Sequence, residues 1–422
     1  MISGEEQIVT IRLFDQDSYI REFEAVVTSC VRGKDHFLVC LDQTAFYPEG
    51  GGQPGDTGML MIPEENKDSG GKVIRVLDTH EKDGEICHWT DMPVEPGTRI
   101  CGRIDWDRRF MLMQNHSGEH IVSGLIHSTF GYENVGFHMG SDFLTIDLSG
   151  ELTMEDLADI QRRANEIVWQ DIRTQIRFYE SSAAIPFDYR SKKELSGQVR
   201  IVTFPGADIC ACCGTHVSST GQIGLIKLIS CVKFRSGVRI EMLCGGRAMD
   251  YLEKIWQQNH RISNLLSARP MQTAAAVERV MENEQEERFE LIRFQKEKEE
   301  AFAGTMAGRG NVLILSAPMY DPQGVRRLAN AVMEQCGGIC AVFSGSDETD
   351  YKYAIGWKDG DLRELVRKIN TALDGRGGGK PFFAQGSVTA TRSRIEELFL
   401  QEPDRDLEEG RVPYGDFSEF TL

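Results

Sequence analysis

Residues 107–130, DRRFMLMQNHSGEHIVSGLIHSTF, decide how the rest of the sequence is interpreted. This stretch predicts one long α-helix. His116 and His120 lie four residues apart in it, and residues at that spacing share one face of a helix. Two imidazoles on one face can bind the same metal ion, as in other helical zinc sites. The alternative is an ordinary surface pair, or a core pair whose hydrogen bonds are satisfied.

A second motif, CACCGTH at residues 210–216, supplies the other candidate ligands. Cys212 and His216 are also four residues apart, but Gly214 favours a tight turn between them. A thiolate and an imidazole on a turn suit zinc, which prefers nitrogen and sulfur ligands in tetrahedral coordination. The predicted zinc ligands are therefore His116, His120, Cys212 and His216. The alternatives are a structural zinc site and a set of buried thiols.

A competing interpretation of the helix concerns Glu119. Residues 116–120 fit the pattern H-x-x-E-H of inverted zinc peptidases, in which this glutamate would activate a water molecule. That mechanism needs a third protein ligand, usually a downstream carboxylate, and the chain has many acidic residues. Four protein ligands leave less room for an attacking water on the metal, which weighs against a peptidase. The sequence alone leaves the peptidase open.

The composition is that of a globular protein with several domains. Of its 422 residues, 41% are apolar and 27% are charged, which is an ordinary mix for such proteins. The sequence has neither an apolar run of membrane-spanning length nor a signal-peptide pattern at its start, so we expect a cytoplasmic protein. Eleven cysteines, three of them crowded into residues 210–213, fit metal binding better than a disulfide framework.

The charge bears on nucleic-acid binding. The net charge of −18 argues against broad, nonspecific affinity, because such binding depends on lysines and arginines that neutralise phosphates. A local basic surface is still compatible with this total, and Arg376 and Lys380 beside a glycine-rich segment are candidates for it. The alternative is that the basic residues are scattered, solvated charges.

Four regions follow from the pattern of elements along the chain. Residues 1–95 contain short β-branched runs broken by turn residues and predict a β domain. Residues 96–246 mix strands with two long helices and predict an α+β domain. Residues 247–305 are helical and heavily charged, either a solvated spacer or a dimerising helical pair. In residues 306–422 strands alternate with helices, which predicts a small α/β domain in which GRGGGK forms a loop.

Several motifs in this order resemble the editing domain of alanyl-tRNA synthetase and its free-standing relatives, the AlaX family. They are TAFYPEGGGQPGDTG, NHSGEHIVSGLIH, VGFHMG and CCGTHVSSTGQIG. The later segment GRGGGKPFFAQGS resembles the glycine-rich DHH-associated domain of the same synthetase and of the long AlaX type. Because the motifs keep their order over nearly the whole chain, the resemblance is specific, although any one motif would not be.

The resemblance implies an α+β fold with four parts: a β-barrel-like N-terminal domain, an α+β editing core with two long helices on a sheet, a helical linker, and a small C-terminal α/β domain. It implies a zinc-dependent hydrolase that cleaves the ester joining serine or glycine to alanine tRNA. The implied metal residues are again His116, His120, Cys212 and His216. A nonenzymatic tRNA-binding module with a structural zinc is the remaining alternative.

The implied partner is mischarged alanine tRNA. No membrane partner is implied, and a homodimer through the helical linker and the C-terminal domain is compatible with the resemblance. The aminoacylation domain of the synthetase is expected to be absent, since the chain opens directly with the barrel. We therefore expect a protein that corrects errors and does not charge tRNA.

Two departures from the family pattern bear on the site. Cys213 stands where the family usually has glycine, so two adjacent thiols compete as ligand, and the spacing from His216 favours Cys212. The position of Glu119 is not acidic throughout the family, so its role as a base is not implied. The chain also lacks the aspartate–histidine–histidine nuclease motif for which the C-terminal domain is named, which disfavours phosphodiesterase activity.

The reaction itself explains why a second site is needed. A small apolar pocket for alanine cannot strongly exclude serine, since roughly a hundredfold is the usual ceiling for rejecting an added hydroxyl. A site that hydrogen-bonds this hydroxyl discriminates far better, because alanine would leave the partner unpaired. Thr44, at the mouth of the glycine-rich loop of residues 44–58, is the candidate partner. Its alternative role is that of an ordinary turn hydroxyl.

The remaining candidate residues are expected to bind the tRNA end. Gln53 and the amides of Gly50, Gly51 and Gly52 are candidates for holding the terminal adenosine or the ester carbonyl. Arg376 and Lys380 are candidates for following the tRNA backbone. The alternatives are a loop shaped only by packing and a flexible turn.

Overall fold

The structure, a computed structural model, describes residues 9–63, 72–191, 195–400 and 417–421. Two compact units divide the chain, Met1–Ile262 and Ser263–Leu422. The predicted α+β class, including a barrel in the N-terminal region, is confirmed. The finer division into four domains stays a prediction. Among the described helices, none combines the length and the apolar character that a membrane crossing requires.

The N-terminal part of the first unit is a closed six-stranded barrel in the order β2-β3-β7-β6-β5-β8. Alternation along β2 turns Phe23, Ala25 and Val27 into the barrel core and leaves Glu22 and Glu24 exposed, because successive side chains of a strand point to opposite faces. The elements of this part are β1 (Ile11–Arg12), α1 (Leu13–Gln16), β2 (Glu22–Arg32), β3 (Phe37–Leu41), β4 (Gln43–Thr44), β5 (Gly58–Ile62), β6 (Lys72–Lys82), β7 (Glu85–Thr90) and β8 (Arg99–Ile104).

The rest of the first unit packs two long helices against an antiparallel sheet in the order β14-β15-β10-β9, beside a three-stranded sheet β11-β12-β13. Its elements are α2 (Trp106–Phe130), β9 (Asn134–Met139), β10 (Leu144–Leu148), α3 (Met154–Trp169), β11 (Gln175–Tyr179), β12 (Val199–Phe204), β13 (Asp208–Ala211), β14 (Ile226–Phe234), β15 (Gly237–Cys244) and α4 (Gly245–Leu265). Short 3-10 turns lie at Ser182–Ala184 and Thr220–Ile223.

Helix α2 forms where the sequence predicts it. Asp105 caps its first turn by accepting a hydrogen bond from the Arg108 amide, and Gly131 ends it in the left-handed conformation. Nearly the whole middle of the helix is buried, because it lies very close to its neighbours. A Cβ on Gly118 would lie 2.2 Å from Cys244 Sγ, and one on Gly124 would lie 2.3 Å from the Ala207 carbonyl. These glycines bring α2 close to β15 and to the start of β13.

The second unit is built around one mixed sheet in the order β19-β20-β18-β17-β16-β21, in which β16 runs parallel to β17 and β21. A 3-10 turn at Pro270–Gln272 precedes its first helix. The elements are α5 (Thr273–Thr305), β16 (Gly310–Ser316), α6 (Pro322–Cys336), β17 (Gly337–Ser346), β18 (Thr349–Gly356), α7 (Arg363–Ala372), β19 (Gly375–Lys380), β20 (Phe383–Val388), α8 (Arg392–Leu400) and β21 (Phe417–Thr421). Helix α5 exposes Met281 and Phe289, and its dimerisation stays a prediction.

The prediction of a loop at GRGGGK is wrong, because this segment is the edge strand β19, paired with β20. Its glycines are needed for packing. Gly377 lies opposite Gly386, and a Cβ on either residue would lie within 2.8 Å of the Tyr353 side chain. The tyrosine ring therefore fills the space that two side chains would take, and its hydroxyl bonds Asn370 Oδ1 at 3.0 Å. A strand without side chains at these positions accommodates the ring.

We predict that Gly124→Ala destabilises the protein by about 1–3 kcal/mol, because the added methyl must displace the Ala207 backbone. Gly246→Ala is the control, since a Cβ there meets nothing within 4 Å; replacing a helical glycine by alanine should change stability by no more than about 1 kcal/mol, in the stabilising direction. Urea denaturation of both variants measures the effect. Equal midpoints for the two variants would mean that α2 is not held this close.

Candidate metal centre

Four side chains from two distant stretches of sequence meet in one place. One ligand atom from each of His116, His120, Cys212 and His216 lies within 4.8 Å of the others. The ring of His216 lies 4.6 Å from that of His116 and 4.9 Å from that of His120, measured between centroids. All three imidazoles are buried, and Cys212 is partly buried.

The chemistry of this group fits a zinc ion. Among the described residues, His120 Nε2 and both ring nitrogens of His216 are buried without a hydrogen-bond partner. Burying a polar nitrogen without a partner is costly, so these atoms indicate a ligand that accepts their lone pairs. Three imidazoles and one thiolate are ligands that zinc prefers, and four is its usual coordination number at structural sites.

The turn at residues 212–216 forms around a glycine. A Cβ on Gly214 would lie 2.1 Å from Cε1 of His116, so any side chain there would collide with the imidazole. The Gly214 amide also lies 3.4 Å from Cys212 Sγ and donates to it. The turn therefore brings the thiol and His216 against helix α2. Cys213 is exposed and lies outside the four-residue group, which supports the choice of Cys212.

The glycine-rich loop reaches this group through Gln53, which is fully buried. Its Oε1 lies 2.8 Å from His116 Nδ1 and accepts a 3.2 Å hydrogen bond from the Thr215 amide. Its Nε2 donates to Thr215 Oγ1 at 2.9 Å. The amide is therefore occupied by the two halves of the cluster, and this arrangement favours a positioning role for Gln53 over the predicted contact with substrate.

A tight turn presents Gln53. Gly50 and Gln53 exchange two backbone hydrogen bonds of 3.0 Å, and Gly51 and Gly52 between them have φ values of 59° and 83°. Glycine adopts this left-handed conformation without the steric cost that other residues bear. The amide of Gly50 is used inside the turn, while Gly51 is exposed, so the predicted substrate contacts of Gly50, Gly51 and Gly52 stay a prediction with Gly51 the most accessible.

A buried ion pair fixes the loop to the helix. Arg109, in the first turn of α2, bonds both carboxylate oxygens of Asp56, and its remaining donors bind the carbonyls of Ser18 and Ala45. Asp56 in turn accepts a 2.6 Å hydrogen bond from the Tyr47 amide. Both charged side chains are essentially inaccessible to solvent. The loop that carries Gln53 is therefore attached to the same helix that carries His116.

One residue beside the cluster is not identified by the sequence. Asp208, at the start of β13, has its Oδ2 2.8 Å from His120 Nδ1. Arg190 binds both oxygens of this carboxylate, at 2.7 Å and 2.8 Å. No motif or spacing in the sequence marks either residue. The one available signal is that Asp208 lies four residues before Cys212, close enough to share its surroundings.

The electrostatics match a thiolate among imidazoles. Burial opposes ionisation of Cys212, but the three surrounding histidines, His116 first, hold the pKa of this thiol well below its usual value. Burial also lowers the pKa of His216 to about 3, so this ring is neutral. A deprotonated thiol and a neutral imidazole are the forms in which these groups bind metals.

Glu119 lies outside the four-residue group. Its Oε1 accepts hydrogen bonds from Ser123 Oγ and from the side-chain amide of Asn134, at the start of β9. The carboxylate is almost fully buried. Its role as a catalytic base stays a prediction, and these contacts favour a structural role instead. Arg376 and Lys380 are exposed on β19 in the second unit.

Thr44 is fully buried at the end of β4. Its hydroxyl lies 2.9 Å from His88 Nε2 and accepts a hydrogen bond from the Phe46 amide. His88 Nδ1 lies 2.9 Å from the Val39 carbonyl, so that nitrogen carries the hydrogen and Nε2 accepts from Thr44. One lone pair of the hydroxyl remains for a further partner. The predicted role of Thr44 in sensing serine therefore remains a prediction.

Three family models match the chain. The "Threonyl and Alanyl tRNA synthetase second additional domain" matches residues 199–241, which include Cys212 and His216. The model "tRNA synthetases class II (A)" matches residues 10–108, and the DHHA1 domain matches residues 309–404. The matches follow the order of the motifs along the sequence.

Curated relatives extend this likeness over the chain. It is 28% identical over 414 residues to the alanyl-tRNA editing protein AlaX-L of Pyrococcus horikoshii, covering 93% of this chain and 98% of that protein. It is 29% identical to the alanine–tRNA ligase of Ignicoccus hospitalis over 88% of this chain, but spans 40% of the length of that enzyme. These matches confirm the predicted resemblance to AlaX proteins and to part of alanyl-tRNA synthetase.

A solved structure with a weak overall likeness is among the matches. It is the C-Ala domain from Aquifex aeolicus alanyl-tRNA synthetase, with 21% identity, 21% of this chain and 89% of that chain covered, and a TM-score of 0.19. This score is too low to support a structural argument.

Burial lowers the pKa of His88 to about 4, from 6.5, and this predicts a pH-dependent stability. The unfolded chain binds a proton at this histidine below about pH 6.5, whereas the folded barrel does not until about pH 4. Stability should therefore be fully present above pH 6.5 and fall as the pH drops towards 4, by up to about 3 kcal/mol. In His88→Asn, which cannot titrate, this part of the loss should disappear.

The measurement is the difference in unfolding free energy between wild type and His88→Asn, taken in chelator at pH 7 and at pH 4.5. The other titrating groups are common to both proteins and cancel in this difference. A difference that does not change between the two pH values would contradict the prediction.

Proposed function

We propose that this chain is a zinc-dependent aminoacyl-tRNA deacylase, which hydrolyses the ester joining serine or glycine to alanine tRNA. The proposal is supported by the likeness to AlaX-L over nearly its whole length. The observation that carries it is the convergence of His116, His120, Cys212 and His216 in one buried group. Without that convergence, the likeness would leave open whether this chain keeps a centre for chemistry.

Two nitrogen ligands on α2, from His116 and His120, would hold the metal together with the sulfur of Cys212 and a nitrogen of His216 on the 212–216 turn. A bound zinc ion supplies a fixed positive charge that can anchor an electron-rich group of the substrate or acidify a water molecule. The four protein ligands favour anchoring over a water bound to the metal. The attacking water would then come from solvent, and the editing pocket would orient it.

The chain's own contribution is orientation by buried side chains. Gln53 accepts from His116 Nδ1, which leaves Nε2 of that ring towards Cys212 Sγ, 3.4 Å away. The buried Arg109–Asp56 pair keeps the Gln53 turn in place. Because these partners are buried, they need little rearrangement when the substrate binds, and preorganised polar groups contribute more in a water-poor site than in solvent.

The peptidase alternative is disfavoured by the surroundings of Glu119. A general base must lie within hydrogen-bond reach of the water that it activates. Glu119 accepts hydrogen bonds from Ser123 and Asn134, and its carboxylate is outside the group of ligand atoms. Binding of the tRNA backbone along β19, where Arg376 and Lys380 are exposed, is part of the proposal.

The direct test is hydrolysis of alanine tRNA charged with serine, compared with the same tRNA charged with alanine. We expect rapid release of serine, slower release of alanine, and no cleavage of an unfolded polypeptide. His120→Ala should lose zinc and deacylation together, because a site with three ligands binds the metal much more weakly. Zinc content is measured by elemental analysis alongside the assay.

Three results would overturn the proposal or its zinc dependence. Peptide cleavage with intact seryl-tRNA would favour the peptidase, and tight tRNA binding by a zinc-loaded wild type without turnover would favour a binding module. Full deacylation by a His120→Ala protein that is verified to be free of metal would remove zinc from the mechanism.

We predict that Thr44→Val weakens the preference for serine over alanine while zinc content stays unchanged. Valine keeps the shape of threonine but removes the hydroxyl, and a lost hydrogen bond to the serine hydroxyl lowers discrimination strongly. Thr44→Ser is the matched control, since it keeps the hydroxyl bonded to His88. The measurement is the ratio of kcat/KM for seryl- and alanyl-tRNA. An unchanged ratio in a correctly folded Thr44→Val protein would dismiss the residue.

A further inference from the structure

We infer that Asp208, held by Arg190, is a positioning residue that fixes the tautomer and the ring orientation of His120. The inference deepens the proposed function and rests on the metal site named there. Asp208 is the first residue of β13 and is not one of the four ligands in the cluster. It would act on the metal only through the histidine.

The hydrogen bond to Asp208 decides which nitrogen of His120 is free. Oδ2 of the carboxylate lies 2.8 Å from Nδ1 of the imidazole, and a carboxylate can only accept. Nδ1 therefore carries a hydrogen, and Nε2 is the ring nitrogen left to bind a metal. Nε2 is the atom that is buried without a partner among the described residues. One contact thus places the proton and leaves the free nitrogen facing the cluster.

Arg190 prevents the carboxylate from turning. Its Nε lies 2.7 Å from Oδ1 of Asp208 and its Nη2 lies 2.8 Å from Oδ2, a bidentate geometry that fixes the plane of the carboxylate. The backbone of Arg190 is itself tied to β13 by bonds to Ile209 and Ala211. The side chains of Arg190 and Asp208 are 9% and 1% exposed, so water does not compete for these contacts.

The missing side chain of Gly124 makes this contact possible. A Cβ at Gly124 would lie 2.6 Å from Cβ of Asp208, so a larger residue would push β13 away from α2. Gly124 lies one turn after His120 on the same helix. The close approach of helix and strand is therefore located where the aspartate meets the imidazole.

The three imidazoles differ in their outer partners. His116 bonds the neutral amide of Gln53, His120 bonds a carboxylate, and both nitrogens of His216 lack a partner among the described residues. An anionic partner fixes a metal-binding histidine and makes it a stronger donor, and loss of such a partner commonly costs 10–100-fold in metal affinity. We therefore expect the aspartate to affect zinc binding although it is not one of the four ligands.

A direct role of Asp208 as a ligand is the competing explanation. His120, Asp208 and Cys210 also offer ligand atoms within 4.8 Å of one another. However, both oxygens of Asp208 are already engaged by the guanidinium of Arg190. A cation bound to this carboxylate would also lie beside that positive charge, which opposes its binding. These contacts favour positioning over ligation.

The test compares zinc binding by the full-length wild type with Asp208→Asn and Arg190→Lys. Asp147→Asn is the matched control, because Arg239 binds Asp147 in the same bidentate way, at 2.6 Å and 2.8 Å, on the sheet formed by β10 and β15. Affinity is measured by competition with a chromogenic chelator, stoichiometry by elemental analysis, and the His120 tautomer by ¹⁵N NMR of the imidazole in metal-free protein.

We expect Asp208→Asn to weaken zinc binding roughly 10–100-fold, with one zinc per chain when saturated, and to change the Nδ1–H signal of His120. Arg190→Lys should weaken binding less, because lysine keeps the charge but not the bidentate contact. Asp147→Asn should match the wild type in both measurements. If Asp208→Asn does not fold, the graded effect of Arg190→Lys against the control still decides the question.

Three outcomes separate the inference from the proposed function. Equal zinc affinity and an unchanged His120 signal in all variants would overturn the inference while the zinc site stands. A wild type that binds two zinc ions per chain, of which Asp208→Asn loses one, would make Asp208 a ligand and would also overturn it. If the wild type binds no zinc, the proposed function loses its metal, and the His120 signal alone decides the inference.

Discussion

The buried ion pair between Arg109 and Asp56 is the constraint on which the centre depends. It joins the first turn of α2 to the glycine-rich loop, and each partner has further hydrogen bonds to backbone groups. Two charges without solvent are tolerated only when they are paired and their other valences are satisfied, and breaking such a pair typically costs about 3–5 kcal/mol. With this pair in place, Gln53 meets His116. A hydrogen bond of 2.6 Å from Arg108 Nη1 to the Gly55 carbonyl holds the same loop against α2.

The cluster contains buried polar atoms that lower the stability of the fold. Buried imidazole nitrogens without partners are unfavourable in a protein interior, and His216 has two of them. A metal that binds the folded site but not the unfolded chain offsets this unfavourable free energy and stabilises the fold by mass action. The four residues therefore form a buried polar group suited to a cation, and Gln53 and Asp208 bond the two histidines of the helix.

Close backbone approach is the second theme, and it recurs in both units. Gly118, Gly124 and Gly214 each stand where a Cβ would collide with a neighbour, and two of these neighbours belong to the centre or to its outer partners. In the second unit, Gly377 and Gly386 give room to the ring of Tyr353. Glycine therefore allows close packing around the candidate site in the first unit and within a sheet in the second unit.

Much of the secondary structure and the four candidate ligands could be predicted from short sequence patterns. Helix α2 and the alternating strands of the barrel depend on neighbours in sequence, and each forms where its residues indicate. The spacing of His116 with His120 and of Cys212 with His216 identified the four residues that converge, because residues four apart on a helix or around a turn meet without help from the rest of the chain. The prediction of a loop at β19 is wrong because Gly377 makes room for the ring of Tyr353, a residue more than twenty positions earlier in the chain.

Only the tertiary structure decided what surrounds those four residues. Gln53 was singled out as a contact for substrate, but its burial and its bonds to His116 and Thr215 arise from the Arg109–Asp56 pair, which joins positions 53 residues apart. Asp208 and Arg190 were invisible in the sequence, since a carboxylate that orients an imidazole has no required spacing from it. The sequence by itself determined which chemistry the chain can hold, because ligand types and short spacings are local. The fold decided which groups orient that chemistry, because hydrogen-bond partners in a buried site are selected by proximity in space.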